Sequence, residues 1–459
     1  MASSFQLGRL ALSLQTHGVS AASTLKNDLE ISQPTLSRWL TSLSPKVERM
    51  GARQFSRYAL RRDIRNLGNA WPLYRVDETG HPEHWGELRA LYGGFRLLPR
   101  ASPLSSWLEA SYPDHLYSGL PFFLQDARPE GYIGRAIGQR VGAALRVPED
   151  PRNWSDDDLL TYLLAEGDDL PGDLILGDRA LERALRAVSD QDAISILWED
   201  RATAYPARAE AAQRGELAVS SAGGEQPKFL ATIRRNGDFT SVLVKFSSAD
   251  PSPAQRRWLD LLVCEHLAGE LLLSRGIPAA RTSIMDAEGR RFLEVERFDR
   301  SHARGRRGLL TMGSLEDGIL DEPATDWSGT AAFLERAQCL GHEQARRLRW
   351  LWCFGDLIGN TDMHRGNTSV FFDAPPFSLA PSYDMLPMLH SPDVQGGVSA
   401  RAFTPRPPMP AVADVWAEAA QTAVEFWGTV GNDGRISSDY RRIAENCRDR
   451  ISELRRQFA

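Results

Sequence analysis

The segment Gly359-Asn360-Thr361-Asp362-Met363-His364-Arg365-Gly366-Asn367 constrains this chain more than any other, because an apolar run with strand character, Ser369-Val370-Phe371-Phe372, begins almost directly after it. Asp362 is followed five residues later by Asn367. A carboxylate and a carboxamide at that spacing put a proton acceptor and a metal-binding amide oxygen on one loop, which is the arrangement phosphoryl transfer uses. Asp362 is therefore the candidate base and Asn367 a candidate metal ligand.

Such a loop needs a second metal carboxylate, a cation for phosphate and a place for the phosphates, and three further segments offer them. Asp384, in Ser382-Tyr383-Asp384-Met385, comes 22 residues after Asp362, about the length of two strands and a turn. In Ser241-Val242-Leu243-Val244-Lys245-Phe246 one lysine interrupts a strongly β-forming run after a turn at Asn236-Gly237. A lysine buried in a strand needs an anion. The helix-like stretch 255–274 carries Glu265, which would steady that ammonium if it points at it. The small-residue loop 220–228, Ser-Ser-Ala-Gly-Gly-Glu-Gln-Pro-Lys, lets backbone amides approach phosphate closely. Taken singly, the loop also reads as a plain turn, Lys245 as an edge-strand lysine and Asp384 as a turn aspartate.

With 459 residues, 42% hydrophobic and 25% charged, the chain has material for two or three globular domains. Four cysteines without C-x-x-C spacing suggest neither zinc nor disulfides and fit a reducing cytoplasm. No stretch is long and apolar enough for a span, so no membrane partner is expected. Net charge is −6, but residues 1–70 hold ten Lys/Arg against four Asp/Glu, and the remainder 44 against 56. A basic head on an acidic body suggests that the head meets a polyanion.

Within that head, residues 24–40 read as helix, tight turn, helix, with Leu25, Leu29, Ile31, Leu36 and Leu40 inward and Ser32 as N-cap ahead of Pro34. Gln33, Thr35, Ser37 and Arg38 then face outward, as a helix reading a major groove requires. Residues 47–62 read as a basic hairpin turning near Gly51, a wing whose Arg53 and Arg57 suit DNA phosphates. Residues 71–200 read as mixed α+β, and the acidic cluster Asp156, Asp157, Asp158, Asp168 and Asp169 as a solvated surface. Residues 410–459 read as helical.

In their order, the loop at 220–228, Val-Glu-Arg-Phe-Asp-Arg at 295–300, Gly-Asn-Thr-Asp-Met-His-Arg-Gly-Asn at 359–367 and Tyr-Asp at 383–384 resemble the HipA-family serine/threonine kinases, over roughly residues 120–450. The added head is similar to the YjjJ-type subgroup, in which a DNA-binding module precedes the kinase. The resemblance implies an α+β, two-lobed, protein-kinase-like fold preceded by a small winged helix-turn-helix. The domains it implies are 1–68, 69–250 with the phosphate loop and ATP lysine, and 251–459, a mainly helical catalytic lobe.

It also implies a toxin that uses ATP and Mg²⁺ to phosphorylate a protein, in the best-known members an aminoacyl-tRNA synthetase. Ala222, Gly223, Gly224, Glu225, Gln226 and Lys228 would line the triphosphate, and Lys245 would pair with phosphate oxygens. Glu296, Arg297 and Phe298 would form the adenine-side hinge, Asn367 and Asp384 would hold Mg²⁺, and His364 and Tyr383 would sit beside the nucleotide. Ser221 or Ser220 would be autophosphorylated. A separate antitoxin and a homodimer are further expectations. Arg365-Gly366 departs from the lysine often found just before the asparagine, and Pro227 removes one backbone donor from the phosphate loop. Two other readings remain: a transcription regulator whose kinase-like half senses nucleotide, and a metal site acting on nucleic acid.

Overall fold

The computed structural model of the protein describes residues 3–52, 55–214, 226–320, 324–393, 395–399 and 401–458. Ser220, Ser221, Ala222, Gly223, Gly224, Glu225 and Arg53 lie outside the described residues.

The chain opens with a helix that the sequence reading did not assign, α1 (Ser4–His17), capped by a reciprocal Ser3–Gln6 box. Strand β1 (Ser20–Ala21), helices α2 (Ala22–Leu29) and α3 (Gln33–Leu43), and strands β2 (Val47–Met50) and β3 (Arg57–Leu60) follow. The turn between α2 and α3 forms because Glu30 closes α2 in the left-handed conformation (φ 54) and Ser32 caps α3, with Pro34 in its first turn. Leu25, Leu29, Leu36 and Leu40 bury as expected, and Leu10 and Leu14 of α1 and Trp39 complete that core. The three strands pair antiparallel in the order β1-β3-β2. Gln33, Ser37 and Arg38 are exposed. The Arg57 side chain is 37% exposed and also paired: its guanidinium lies 2.8 Å from Asp114 Oδ2, and Gly51 N–H donates to the other oxygen of the same carboxylate at 2.9 Å.

The middle segment builds an antiparallel sheet, β7-β6-β5-β4-β8, from β4 (Ala70–Val76), β5 (Pro82–Leu91), β6 (Gly94–Pro99), β7 (Leu116–Tyr117) and β8 (Leu174–Leu176). Its apolar side does not close on itself. Leu73, Leu88, Phe95, Phe122 and Leu160 belong to one continuous core with Leu348, Phe354, Phe426 and Trp427 of the C-terminal helices.

The acidic cluster is a set of paired carboxylates, with Asp169 half exposed and the others at least partly buried. Asp156 accepts from the Leu120 amide at 2.7 Å and from Gln125, Asp157 pairs with Arg62 and Asp158 with Arg65. Asp168 pairs with Arg183, and Asp169 with Arg297 and Arg300. Arg62, Arg65, Arg297 and Arg300 lie more than 90 residues from the aspartates they pair with, and composition carries no trace of it.

A second five-stranded sheet, β12-β13-β11-β10-β9, carries Lys245. Its strands are β9 (Ile196–Leu197), β10 (Lys228–Arg235), β11 (Asp238–Phe246), β12 (Thr282–Ala287) and β13 (Arg290–Glu296). Only β9 runs parallel to its neighbour. The sheet takes strands from both sides of residue 250, so the boundary expected there falls inside it. The helix Pro253–Ser274 packs on β12 and β13, and the helices His342–Leu357, Ala413–Asn432 and Ser438–Phe458 form the bulk beyond. Among the described residues no helix is long and apolar enough to cross a membrane.

Candidate active site

Strands β10 and β11 are joined by Asn236 (φ 53) and Gly237 (φ 90), two left-handed residues of the kind that close a right-twisted hairpin. Such a turn fixes the register. Arg235 opposes Asp238, and counting outward brings Lys228 opposite Lys245. Directly opposed residues share a face, and both lysines are 2% exposed. Two buried ammoniums side by side are unfavourable unless anions meet them.

Two carboxylates do so. Lys245 Nζ donates to Glu265 Oε1 at 2.6 Å and to Asp384 Oδ1. Glu265 stands on the helix Pro253–Ser274, whose Ser252 cap and Pro253 start set the register that aims it. Its second oxygen, Oε2, is buried without a hydrogen-bond partner among the described residues. Burial tends to lower the Lys245 ammonium, but the two carboxylates outweigh it and hold it well above its ordinary value. Burial pushes Glu265 up. For Asp384 burial works upward too, yet Lys245 and Lys228 prevail and hold it below the usual carboxylate range.

Asp384 sits in the left-handed region (φ 53), which costs a non-glycine residue about 1 kcal/mol. Asn360 Nδ2 donates to its carbonyl at 3.1 Å and holds it there. Asn360 Oδ1 also accepts the Asp362 amide at 3.0 Å, so one buried asparagine ties both candidate acids together. Asn367 Nδ2 donates to the Asp362 carbonyl at 2.7 Å, which leaves its amide oxygen as the end able to meet a cation. His364 Nδ1 accepts the Gly366 amide at 3.0 Å, and Trp327 Nε1 donates to the His364 carbonyl at 3.1 Å. Burial raises the Asp362 carboxyl, against His364, and so moves it toward the range of a working base.

At the end of β13, Glu296, Arg297 and Phe298 pass from the second sheet toward the helical part. The Arg297 amide donates to Ser241 O at 2.9 Å. Its guanidinium is committed elsewhere, to Asp169 and Asp299 at 3.0 Å each, so of Arg297 only the main chain suits a nucleotide. The Phe298 ring lies 5.7 Å from Tyr383 and 6.4 Å from Phe371. A cavity of about 800 Å³ is lined by Lys228, Glu296, Phe298, Asn367, Tyr383 and Asp384, among others. The candidates Lys228, Glu296, Arg297, Phe298, His364, Asn367, Tyr383 and Asp384 thus meet at one cleft, while Lys245 and Asp362 do not line it and are joined to it through Asp384 and Asn367. Those of the head, Gln33, Thr35, Ser37, Arg38 and Arg57, belong to a separate surface.

A family profile described as the YjjJ-like toxin, middle domain, matches residues 67–185, and one described as the HipA-like C-terminal domain matches 220–454. Toxin YjjJ of Escherichia coli (strain K12) is 33% identical over 447 residues, which is 97% of this chain and 98% of that protein. The chain belongs to the HipA-like toxin family. Among solved structures it resembles the HipA toxin–antitoxin system of Shewanella oneidensis MR-1, determined with HipB and its operator DNA, at TM-score 0.51 and 15% identity, covering 84% of this chain and 97% of that one. That likeness shows a HipA-like fold.

For this family member the sequence left two features of the site unread. The opposition of Lys228 and Lys245 was legible in principle, since an Asn-Gly hairpin dictates it. The bracing of the 362–367 loop by Tyr383 was not. The Tyr383 hydroxyl donates to Gly366 O at 2.8 Å and lies 2.7 Å from Ser369 Oγ. Burial pushes its ionisation up, so it stays a neutral donor. Tyr383→Phe is expected to lower stability by about 1 kcal/mol, read as a lower urea midpoint with the slope unchanged.

Proposed function

We propose that this chain is an ATP- and Mg²⁺-dependent serine/threonine protein kinase of toxin type, with a winged helix-turn-helix head that binds DNA. The observation that carries the reading is the buried Lys245 held between Glu265 and Asp384, with Lys228 opposite it at the cleft. Opposed lysines beside a strained acid suit a triphosphate and its metal better than they suit a structural core. Mg²⁺ takes one or two protein oxygens plus phosphate, and Asp384 and Asn367 would supply those oxygens. Bound there, the ion would neutralise charge on the transferring phosphoryl group.

The chain's own residues do the rest. Lys245 and Lys228 orient phosphate oxygens, Phe298 and Tyr383 wall the base side, and Asp362 takes the proton of a substrate hydroxyl. Catalysis by positioning and charge needs little more. The acceptor is a protein, an aminoacyl-tRNA synthetase being one option, and the loop serine Ser221 or Ser220 is a second acceptor whose phosphate would repel the nucleotide. DNA would meet Gln33, Thr35, Ser37 and Arg38 of α3, with Arg53 on the wing. The Shewanella HipA was solved with HipB and operator DNA, which supports an antitoxin and DNA as partners here, and a homodimer would read two half-sites. The reducing cytoplasm is the setting that fits.

Incubating wild type and Asp362→Ala with Mg²⁺ and labelled ATP, then mapping phosphate by mass spectrometry, tests this. Label on Ser220 or Ser221 in wild type only is the expected result. No label, with ATP still bound, would give way to a second reading favoured by the exposed polar face of α3: a DNA-binding regulator whose kinase-like half senses nucleotide.

A further inference from the structure

Arg365 stands inside the loop between Asp362 and Asn367 and lines the cleft, where a cation aimed at phosphate would be convenient, yet its guanidinium is held by two carboxylates. Its Nη1 donates to Asp317 Oδ1 at 2.8 Å and to Glu316 Oε2 at 3.1 Å, both on the helix Met312–Ile319. Glu316 is fully buried and also accepts from the Thr330 hydroxyl. A buried carboxylate left without its cation is costly, so this pairing is a strong tether. Two further contacts seat the loop on the same helix. The Met312 amide donates to Thr368 O at 2.9 Å. A Cβ at Gly313 would come within 3.3 Å of Arg365 Cβ, so glycine permits the close approach.

That helix is itself gripped at both ends by the middle segment. Asp126 Oδ2 accepts the Thr311 amide at 2.9 Å, and its other oxygen takes the Thr311 hydroxyl, which caps the helix. At the far end the Tyr112 hydroxyl donates to Gly318 O at 2.5 Å. The Phe122 ring fills the space a side chain at Gly318 would need, 2.6 Å from its Cβ position.

We propose that Arg365 is a positioning residue: clamped by Glu316 and Asp317, it fixes the loop bearing Asp362 and Asn367, and the middle segment sets that clamp through Tyr112 and Asp126. This rests on reading the cleft as a phosphoryl-transfer site. The competing role, a direct contact of Arg365 with phosphate, makes different demands on the same variants.

The test compares wild type, Arg365→Met, Arg365→Lys and Tyr112→Phe by Mg-ATP calorimetry, by rate of autophosphorylation and by amide hydrogen exchange over residues 362–368. Arg365→Met leaves the buried Glu316 without its cation, so a urea midpoint is measured for each variant, and a stability in the ordinary range absorbs that loss. For Arg365→Met the expected result is an ATP affinity within about twofold of wild type, transfer slowed about tenfold or more, and loop amides exchanging about tenfold faster. Arg365→Lys should recover part of both, and Tyr112→Phe should shift both in the same direction by less. Unchanged exchange with a large loss of ATP affinity would overturn the clamp in favour of a phosphate ligand, and unchanged exchange and rate would overturn it outright. Should wild type transfer no phosphate, the kinase reading falls while the exchange measurement still decides the clamp.

Discussion

Lys245→Met is expected to slow phosphoryl transfer by about 10²–10³-fold and to lower stability by about 3 kcal/mol. The first effect follows from removing a preorganised cation from a dry site, where each donor to developing phosphate charge is worth several kcal/mol. The second follows from what stays behind. Methionine fills much the same space, but Glu265 and Asp384 are left facing each other without the ammonium that holds them, Glu265 with only 5% of its side chain exposed. A total stability in the ordinary range of about 5–15 kcal/mol absorbs that loss, so the variant stays folded and its lost activity can be read separately.

The pH dependence gives this prediction a sign. Burial already raises Glu265, and without Lys245 the rise must grow. A group whose folded pKa is raised contributes stability below its unfolded value, and that contribution is lost as pH climbs through the folded value. The urea-midpoint gap between wild type and variant is therefore expected to be wider near pH 8 than near pH 5. A gap equal at both would mean that the carboxylates find other cations and that Lys245 is not their keeper.

What the sequence could express about this site was whatever lies within one segment. The five-residue step from Asp362 to Asn367, the lone lysine in a β-forming run and the cap-and-proline signal of α3 are local, and each rests on geometry that neighbouring residues impose. Glu265 needed only the length of one helix to be aimed. The acidic cluster reads as solvated in sequence because its partners Arg62, Arg65, Arg297 and Arg300 come from other segments, and an aspartate bound to arginine looks there like one bound to water. The grip of Asp126 on Thr311 spans 185 residues and uses two ordinary residue types, so no periodicity announces it. α1 is hard to read in sequence because its outward face carries Phe5 and Leu12, blurring the apolar stripe that marks a surface helix.

Arg57, Arg62 and Arg65 of the head pair with Asp114, Asp157 and Asp158 of the body, and one head carboxylate does the reverse. Glu48 of β2 is 5% exposed and accepts from Arg61 Nε at 2.7 Å, Arg89 Nη1 at 2.6 Å and Arg96 Nη1 at 3.2 Å. Arg89 and Arg96 belong to β5 and β6, so this one carboxylate joins β2 to the middle sheet. Glu48→Ala would leave three guanidiniums crowded together. Because those arginines keep some contact with water, the loss is expected to be about 2–3 kcal/mol rather than the full cost of a buried charge.

Burial pushes the Glu48 carboxyl up, but the arginines outweigh it and hold it below its ordinary 4.5. Its contribution is accordingly complete above that value and fades as pH falls through the lower folded one. Melting at pH 7 should separate variant from wild type clearly, and the two curves should converge as the carboxylate is protonated in acid. Limited proteolysis should release the head sooner in the variant, with the cleft's ATP affinity little changed. If wild type and variant melt alike at pH 7, the ionic seam does not hold the head to the middle sheet.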